Sequence, residues 1–451
     1  MRKKTLRSLE NLVDLHLGRS KNSPLYVRWA CPDGICYDGT FPILSKLLEH
    51  SSRWYTAVLL LPDGKALEIA LGLRDGGGSS EESGGEYTDE DDEEGDEEKK
   101  KESPKEKAQT RPPTFPESFP LLQELEMKLL QDDERDMSSP SFRAPNLRKL
   151  SINTFGYGCN FRSKFLEEIT LSFVTANTTL EYLKDVPAGT GCKVHIVDLF
   201  TLDFENDDDD RFIDFPTFVS HLGALTITAA TDFNEPEDAT LKVIRNLTLP
   251  DVERLEIVNQ ISSVQDFPVE QIVSMLQRSA KSSPSMSSTL RHLCIDRYRM
   301  RDNELVTVLE HTPALTSLAM REAPGGDADN LPLTEEFFSD LVVGSSEDRG
   351  KEEVLVPNLA RLEIEMHSEE HPWDSLYAFL ESRRRPSSSE NSSLVLKVGL
   401  SVRGPEWDRV RGTWEKKIEE LGKSGVEVKV VERPEKKKVE KRVQKKTAWK
   451  K

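Results

Sequence analysis

One eight-residue pattern, Pro-x-φ-x-x-Leu-x-φ with φ apolar, recurs along the chain and constrains its fold more than any other feature. It stands at Pro120, Leu122, Leu125 and Met127, and again at Pro145, Leu147, Leu150 and Ile152. It returns at Pro250, Val252, Leu255 and Ile257, at Pro313, Leu315, Leu318 and Met320, and at Pro357, Leu359, Leu362 and Ile364. Versions without the proline are Leu12, Leu15 and Leu17; Leu166, Ile169 and Leu171; Leu222, Leu225 and Ile227; and Leu290, Leu293 and Ile295. The last two apolar positions are two residues apart, so both point to one face of a short strand. The first sits in the turn entering that strand. A proline two residues ahead of it suits a turn and cannot continue a preceding helix.

After several of these strands the apolar period becomes helical. Phe267, Ile272, Val273 and Leu276 line one face. So do Leu305, Val308 and Leu309 after a candidate N-cap at Asp302, Phe337, Phe338 and Leu341 after Thr334, and Leu376, Phe379 and Leu380 after Trp373. Leu44, Leu47 and Leu48 behave alike near the start. Strand, loop, helix, strand is a right-handed crossover unit. The expected fold class is therefore α/β: an irregular leucine-rich-repeat-like solenoid with parallel strands on the concave face and helices and loops on the convex face. First apolar positions at 122, 147, 166, 222, 252, 290, 315 and 359 leave gaps of 19 to 56 residues. A regular array would repeat every 20–29 or so, so some repeats are degenerate or unseen. The asparagine that usually follows the strand is represented only by Asn153 and Asn259. Residues 394–400 and 426–431 alternate as strands, and with a helix carrying Trp414, Ile418 and Leu421 they form a C-terminal cap.

Composition divides the chain. Residues 75–111 hold 15 acidic and 6 basic side chains among glycines and serines, and read as a disordered acidic insertion. Residues 433–451 hold 10 basic and 2 acidic side chains and read as a disordered basic tail, either an import signal or a solvated end. The expected domains are N-terminal repeats over 1–74 and the capped solenoid over 112–432. Ser-rich stretches at 278–288 and 385–393 read as loops, as does the acidic run Asp207 to Asp210.

With 451 residues and a net charge of -19, the chain is a poor general binder of nucleic acid or of an anionic membrane. Its longest apolar run, Ala57 to Leu61, is far below the roughly 18–20 residues of a membrane span. No signal-peptide pattern follows Met1. Five scattered cysteines fit a reducing compartment, cytoplasmic or nuclear. The sequons at Asn177, Asn246 and Asn391 are then chance matches.

Motifs for chemistry are thin. Cys31 and Cys36 lack a second ligand pair at zinc spacing, with His16 and His50 isolated. The stretch from Asp203 through Glu205, Asp207 and Asp209 to Asp214 has calcium-loop spacing but carries Asp208 where the loop needs glycine. No nucleophile elbow, phosphate loop or zinc-protease motif occurs. We expect no enzyme activity, no cofactor and no metal. The best functional surface is the set of side chains that alternate with the buried leucines: Lys149, Ser151, Arg254, Glu256, His292, Asp296, Arg361, Glu363 and Glu365, flanked by Glu124, Glu126, Lys128, Asn153 and Cys294. Their mixed charge suits polar protein recognition rather than a small apolar ligand.

Three phrases carry a family resemblance: Leu12-x-x-Leu15-x-Leu17-Gly18-Arg19-Ser20 followed by Ser23-Pro24-Leu25, His50-Ser51-Ser52-Arg53-Trp54, and Phe142-x-Ala144-Pro145-x-Leu147-x-x-Leu150. Together they resemble the repeat region of F-box proteins of mushroom-forming fungi. The resemblance implies repeats that select a protein substrate, and an F-box that docks on the adaptor of a cullin–RING ubiquitin ligase. The Leu-Pro-x-Glu helix start of an F-box is not seen ahead of Leu12. The expected function is the recognition part of such a receptor. The alternatives are a stand-alone scaffold and a nuclear module that binds basic proteins through the acidic insertion.

Overall fold

The computed structural model describes residues 3–30, 41–61, 119–129, 141–153, 160–200, 216–229, 236–260, 265–323, 331–342, 355–366, 372–383, 396–402, 405–423 and 426–432. The Cys31–Cys36 pair, the acidic insertion, the Asp203–Asp214 stretch, residues 385–393 and the basic tail lie outside them. Two compact units divide between Leu147 and Arg148.

In the first unit, helix α1 (Lys3–Ser20), strand β1 (Leu25–Ala30), helix α2 (Phe41–Glu49), strand β2 (Trp54–Leu61) and strand β3 (Glu124–Leu129) follow in order. The strands are parallel, with Val27 paired to Ala57 and Ala57 to Leu125. The expected strand at Leu12, Leu15 and Leu17 is corrected here, because these residues lie inside α1. Leu9, Val13, Leu17 and Ser20, three or four residues apart, form its more buried side, while Leu12 and Leu15 stay 48% and 47% exposed. No proline interrupts residues 3–20, so the helical period prevails. Two of the phrases that carry the resemblance meet in this unit. Arg53 donates through Nη2 to Ser20 Oγ at 2.6 Å and to the Ser23 carbonyl at 3.0 Å. Trp54 takes the place of the first leucine, 1% exposed, with its indole N–H on the Leu47 carbonyl.

Among the described residues, ten parallel strands of the second unit follow one another in the sheet in chain order, with the short strand Gln265–Asp266 paired beside them. They are β4 (Lys149–Asn153), β5 (Glu168–Thr175), β6 (Cys192–Phe200), β7 (Leu222–Ala229), β8 (Arg254–Asn259), β9 (His292–Arg299), β10 (Ser317–Glu322), β11 (Arg361–Glu365), β12 (Leu396–Val402) and β13 (Val426–Glu432). The sheet is open, and every connection returns to the neighbouring position. Between strands run α3 (Ala176–Lys184), α4 (Pro236–Asn246), α5 (Val269–Ser282), α6 (Asp302–Glu310), α7 (Glu335–Asp340), α8 (Trp373–Ser382) and α9 (Pro405–Lys423). Each of these helices packs on the next, as a layer against one side of the sheet.

The repeat pattern becomes two apolar columns. Leu150, Ile169, Val194, Leu225, Leu255, Leu293, Leu318, Leu362 and Val398 pair strand to strand, as do Ile152, Leu171, Ile196, Ile227, Ile257, Ile295, Met320, Ile364 and Leu400. All of them are 3% exposed or less. Burying each contributes roughly 1.5–3 kcal/mol, which makes the columns the spine of the fold. The proline acts as expected. In Leu249-Pro250-Asp251-Val252, Thr312-Pro313-Ala314-Leu315 and Val356-Pro357-Asn358-Leu359 the fourth N–H donates to the first carbonyl, at 3.4, 3.0 and 3.2 Å. Proline therefore holds the second position of a β-turn, where its fixed φ belongs.

One repeat shows no leucine signal because Gly191 stands at the first position, three residues ahead of Val194. Its φ is +61°, and a Cβ on Gly223 would come within 2.7 Å of the Gly191 carbonyl oxygen. The two segments touch so closely that no side chain fits on Gly223, while the positive φ favours glycine at 191. Beyond the columns, Phe173, Asp198 and Arg297 have φ of 52°, 57° and 63°. Each sits two residues past its second column position. The bulge returns Val174, Leu199 and Tyr298 to the interior, at most 4% exposed. Asn259, 1% exposed, donates through Nδ2 to the carbonyl of bulged Arg297 at 3.3 Å.

The expected loop over 278–288 is corrected for 278–282, which finish α5. Serine is tolerated there because Ser279 Oγ donates to the Met275 carbonyl at 2.7 Å and accepts from Leu249 N at 2.8 Å. Asp302 is the first residue of α6 rather than its cap, and Thr334 caps α7, accepting from Phe337 N at 3.1 Å. At the C-terminal end α9 packs on β13 and buries Trp414 against Trp373.

Candidate interaction face

The helices cover one side of the second unit's sheet, so the residues that alternate with the two columns form its open face. Strand register places them in three rows. The row at the strand starts runs Lys149, Glu168, Lys193, Ala224, Arg254, His292, Ser317, Arg361. The middle row runs Ser151, Thr170, His195, Thr226, Glu256, Cys294, Ala319, Glu363. The third row includes Asp296, Arg321 and Glu365. The middle row carries hydroxyls on the early strands, the first row carries Lys149, Glu168 and Lys193 there, and β8 to β11 add the forked arginine–glutamate groups.

Three groups form on β8 to β11. In the first, Arg254 Nε donates to Glu256 Oε1 at 2.7 Å and Thr226 Oγ1 donates to Glu256 Oε2 at 3.2 Å. His292 stands beside them, Nε2 3.4 Å from Glu256 Oε1 and Nδ1 2.9 Å from Ser317 Oγ. In the second, Arg361 Nε donates to Glu363 Oε1 at 2.7 Å, and Nη2 contacts the same oxygen. In the third, Arg321 donates through Nη1 to Asp296 Oδ2 at 2.8 Å, and its Nε lies 3.9 Å from Glu365 Oε2. Asp296 and Glu365 are each 4% exposed, so they hold Arg321 in place rather than meet solvent.

The sequence-derived site residues thus separate. Arg254, Glu256 and His292 join one cluster, and Arg361 with Glu363 forms another. Asp296 and Glu365 are brought together through Arg321. Lys149 and Ser151 lie on β4, four strands from β8 and apart from these three groups. Thr226, Ser317 and Arg321 were missed, although the same template places them: each alternates with a column residue on its strand.

The Glu256 carboxyl is held down at about 2. The hydrogen bond from His292 is the largest cause, burial opposes it, and Arg254 and Thr226 add to the lowering. A folded-state value below the ordinary 4.5 means the stabilisation is complete above pH 4.5 and is lost as pH falls towards 2. We therefore expect wild type to lose stability relative to Glu256→Gln across that window, read from urea midpoints. A constant difference from pH 5 to pH 2 would contradict it.

Ser317, His292 and Glu256 form a hydrogen-bonded chain of nucleophile, base and acid types. The Ser317 N–H is already spent, donating to the Arg291 carbonyl at 2.9 Å, and the strand backbone around it is paired in the sheet. The site accordingly offers no preorganised N–H pair for an oxyanion. Burial pushes the thiols of Cys294 and Cys192 up to about 12, so both stay protonated at neutral pH. Among the described residues no group of three or more His, Cys, Asp or Glu is placed to hold a metal, and no helix is long and apolar enough to cross a membrane.

By fold, then, the chain is an α/β protein with a large, open parallel sheet, helices on one side and a polar face on the other. Comparison with protein-family models and with curated protein sequences returns no match.

Proposed function

We propose that this chain is a protein-binding leucine-rich-repeat scaffold, and that it serves as the substrate-recognition part of an F-box-type ubiquitin-ligase receptor. One observation carries the binding reading. Strand after strand, the sheet buries its apolar columns and turns polar side chains outward in register, with forked guanidiniums and carboxylates concentrated on β8 to β11. Such a face has hydrogen-bonding capacity across several nanometres, which suits another protein's surface. The action is positional: the face holds a substrate, and a partner ligase supplies the chemistry by proximity.

The ligase reading stands on the family resemblance and is tested separately. In a pull-down with the full chain, capture of the cullin-ligase adaptor supports it, and failure to capture the adaptor overturns it. Hydrogen exchange of the chain with a bound protein partner tests the scaffold reading. Protection is expected in β8 to β11, and protection confined to the helical layer would overturn the assignment of the open face.

A further inference from the structure

We propose that Arg254 and Arg361 form a two-point acceptor for an extended acidic segment of a partner protein, with two carboxylates about four residues apart. This rests on the reading of the open face as a docking surface and names the chemistry it takes. The sequence Arg-Leu-Glu-Ile occurs on both β8 and β11. On each strand the arginine and glutamate alternate with the buried leucine and isoleucine, so both face outward, two residues apart. The resulting geometry is the same twice: Nε donates to the glutamate Oε1 at 2.7 Å and Nη2 contacts that oxygen.

Each glutamate thereby holds one edge of its guanidinium and turns the other edge out. The arginine side chains are 53% and 61% exposed, and neither guanidinium has another partner among the described residues. A fork held in this way has already lost much of the rotamer freedom that binding would otherwise remove. Its outer edge matches a carboxylate with two parallel N–H···O bonds.

Register sets the spacing. Arg254 pairs with His292, His292 with Ser317, and Ser317 with Arg361, so the forks share a row three strands apart. At about 4.8 Å per strand the separation is roughly 14 Å, close to four residues of extended chain at about 3.4 Å each. The floor between them is low at Ser317, Cys294 and Ala319, while the larger His292 ring, tied to Glu256 and Ser317, stands on the row between the forks.

Exposure favours an acidic occupant over a basic one: Arg254 is more exposed than Glu256, and Arg361 than Glu363. Lys149 and Lys193 are exposed in the same row, with Glu168 paired between them. Both oxygens of Glu256 are engaged, by Arg254 and by Thr226, and Asp296 and Glu365 are buried around Arg321. In each Arg–Glu pair the donor is thus the more exposed member.

The test is fluorescence polarisation with labelled twelve-residue Gly/Ser peptides, capped at both ends, against the full chain. One peptide carries two glutamates four residues apart, one a single glutamate, one two glutamines and one two lysines. The two-glutamate peptide is expected to bind at least tenfold tighter than the single-glutamate or glutamine peptide. Arg254→Gln and Arg361→Gln should each remove that advantage. Arg254→Lys and Arg361→Lys should remove most of it, because an ammonium keeps the charge and loses the fork. These are exposed side chains, and unchanged melting temperatures verify the variants. Equal binding of glutamate and glutamine peptides, or indifference to both glutamine variants, overturns the proposal. Preference for the lysine peptide, lost in Glu363→Gln, overturns the acidic class while retaining the docking face. If neither a peptide nor a bound protein partner protects β8 to β11 from hydrogen exchange, both readings fail.

Discussion

Trp414→Ala is expected to destabilise the C-terminal end of the chain by about 3–5 kcal/mol, the range for emptying a buried aromatic site. Trp414 is 1% exposed, 4.9 Å from the Trp373 ring and edge-on to Tyr377 at 6.4 Å. It is the side chain through which α9 seals the last repeat. In a stacked sheet each repeat contacts only its neighbours, so the damage should stay local. Hydrogen exchange should rise first in β12 and β13, whose own edge is already the least protected: Val428 and Val430 are only half-buried. Exchange in β5 to β9 should change little. A loss below 1 kcal/mol, or a uniform rise in exchange over all ten strands, would mean that α9 is not the cap.

The second large effect is at Arg383, just beyond α8. Its Nη2 donates to the carbonyls of Leu341 at 3.3 Å and Leu355 at 3.0 Å, and Nη1 to that of Val356 at 3.3 Å. The guanidinium also lies over the Phe379 ring, 5.4 Å from its centroid. It ties the end of α7 to the turn that enters β11. Burial lowers the arginine's pKa, yet the three carbonyls keep the charged group in place. Arg383→Met preserves most of the packing and removes all three donors; the Leu341 and Leu355 carbonyls lose this partner, while Val356 keeps the Leu359 N–H. The expected loss is about 3 kcal/mol by urea denaturation. Lysine should recover little of it, since one ammonium cannot span three carbonyls arranged for a planar fork. A methionine variant as stable as wild type would show that water replaces the arginine at no cost.

The strands that carry the leucine template were legible because their signal is local. A period of two with a turn proline ahead needs no knowledge of neighbours, and helices from α5 to α9 announced themselves by apolar spacing in the same way. Where the signal weakened, it did so for a physical reason. β6 opens on Gly191 because its φ of +61° lies in the left-handed region that favours glycine, and its carbonyl in turn leaves no room for a side chain on Gly223. β2 opens on Trp54 and Ala57, which fill the volume of two leucines in a different order. At Leu12 the template matched by coincidence, since leucines three apart also satisfy a helix, and the inward side of α1 is the set at Leu9, Val13 and Leu17.

The candidate face divides along the same line. That Arg254, Glu256, His292, Arg361 and Glu363 turn away from the core follows from alternation within each strand, and the sequence alone determined it. Which of them meet was decided by tertiary structure. Glu256 and His292 are 36 positions apart in the chain, and Arg254 and Arg361 are 107 apart. The number of strands between them, the burial of Asp296 and Glu365 around Arg321, and the roughly 14 Å between the two forks depend on register across neighbouring strands. Register is set by the whole stack of buried columns and turns, and no short stretch of sequence contains it.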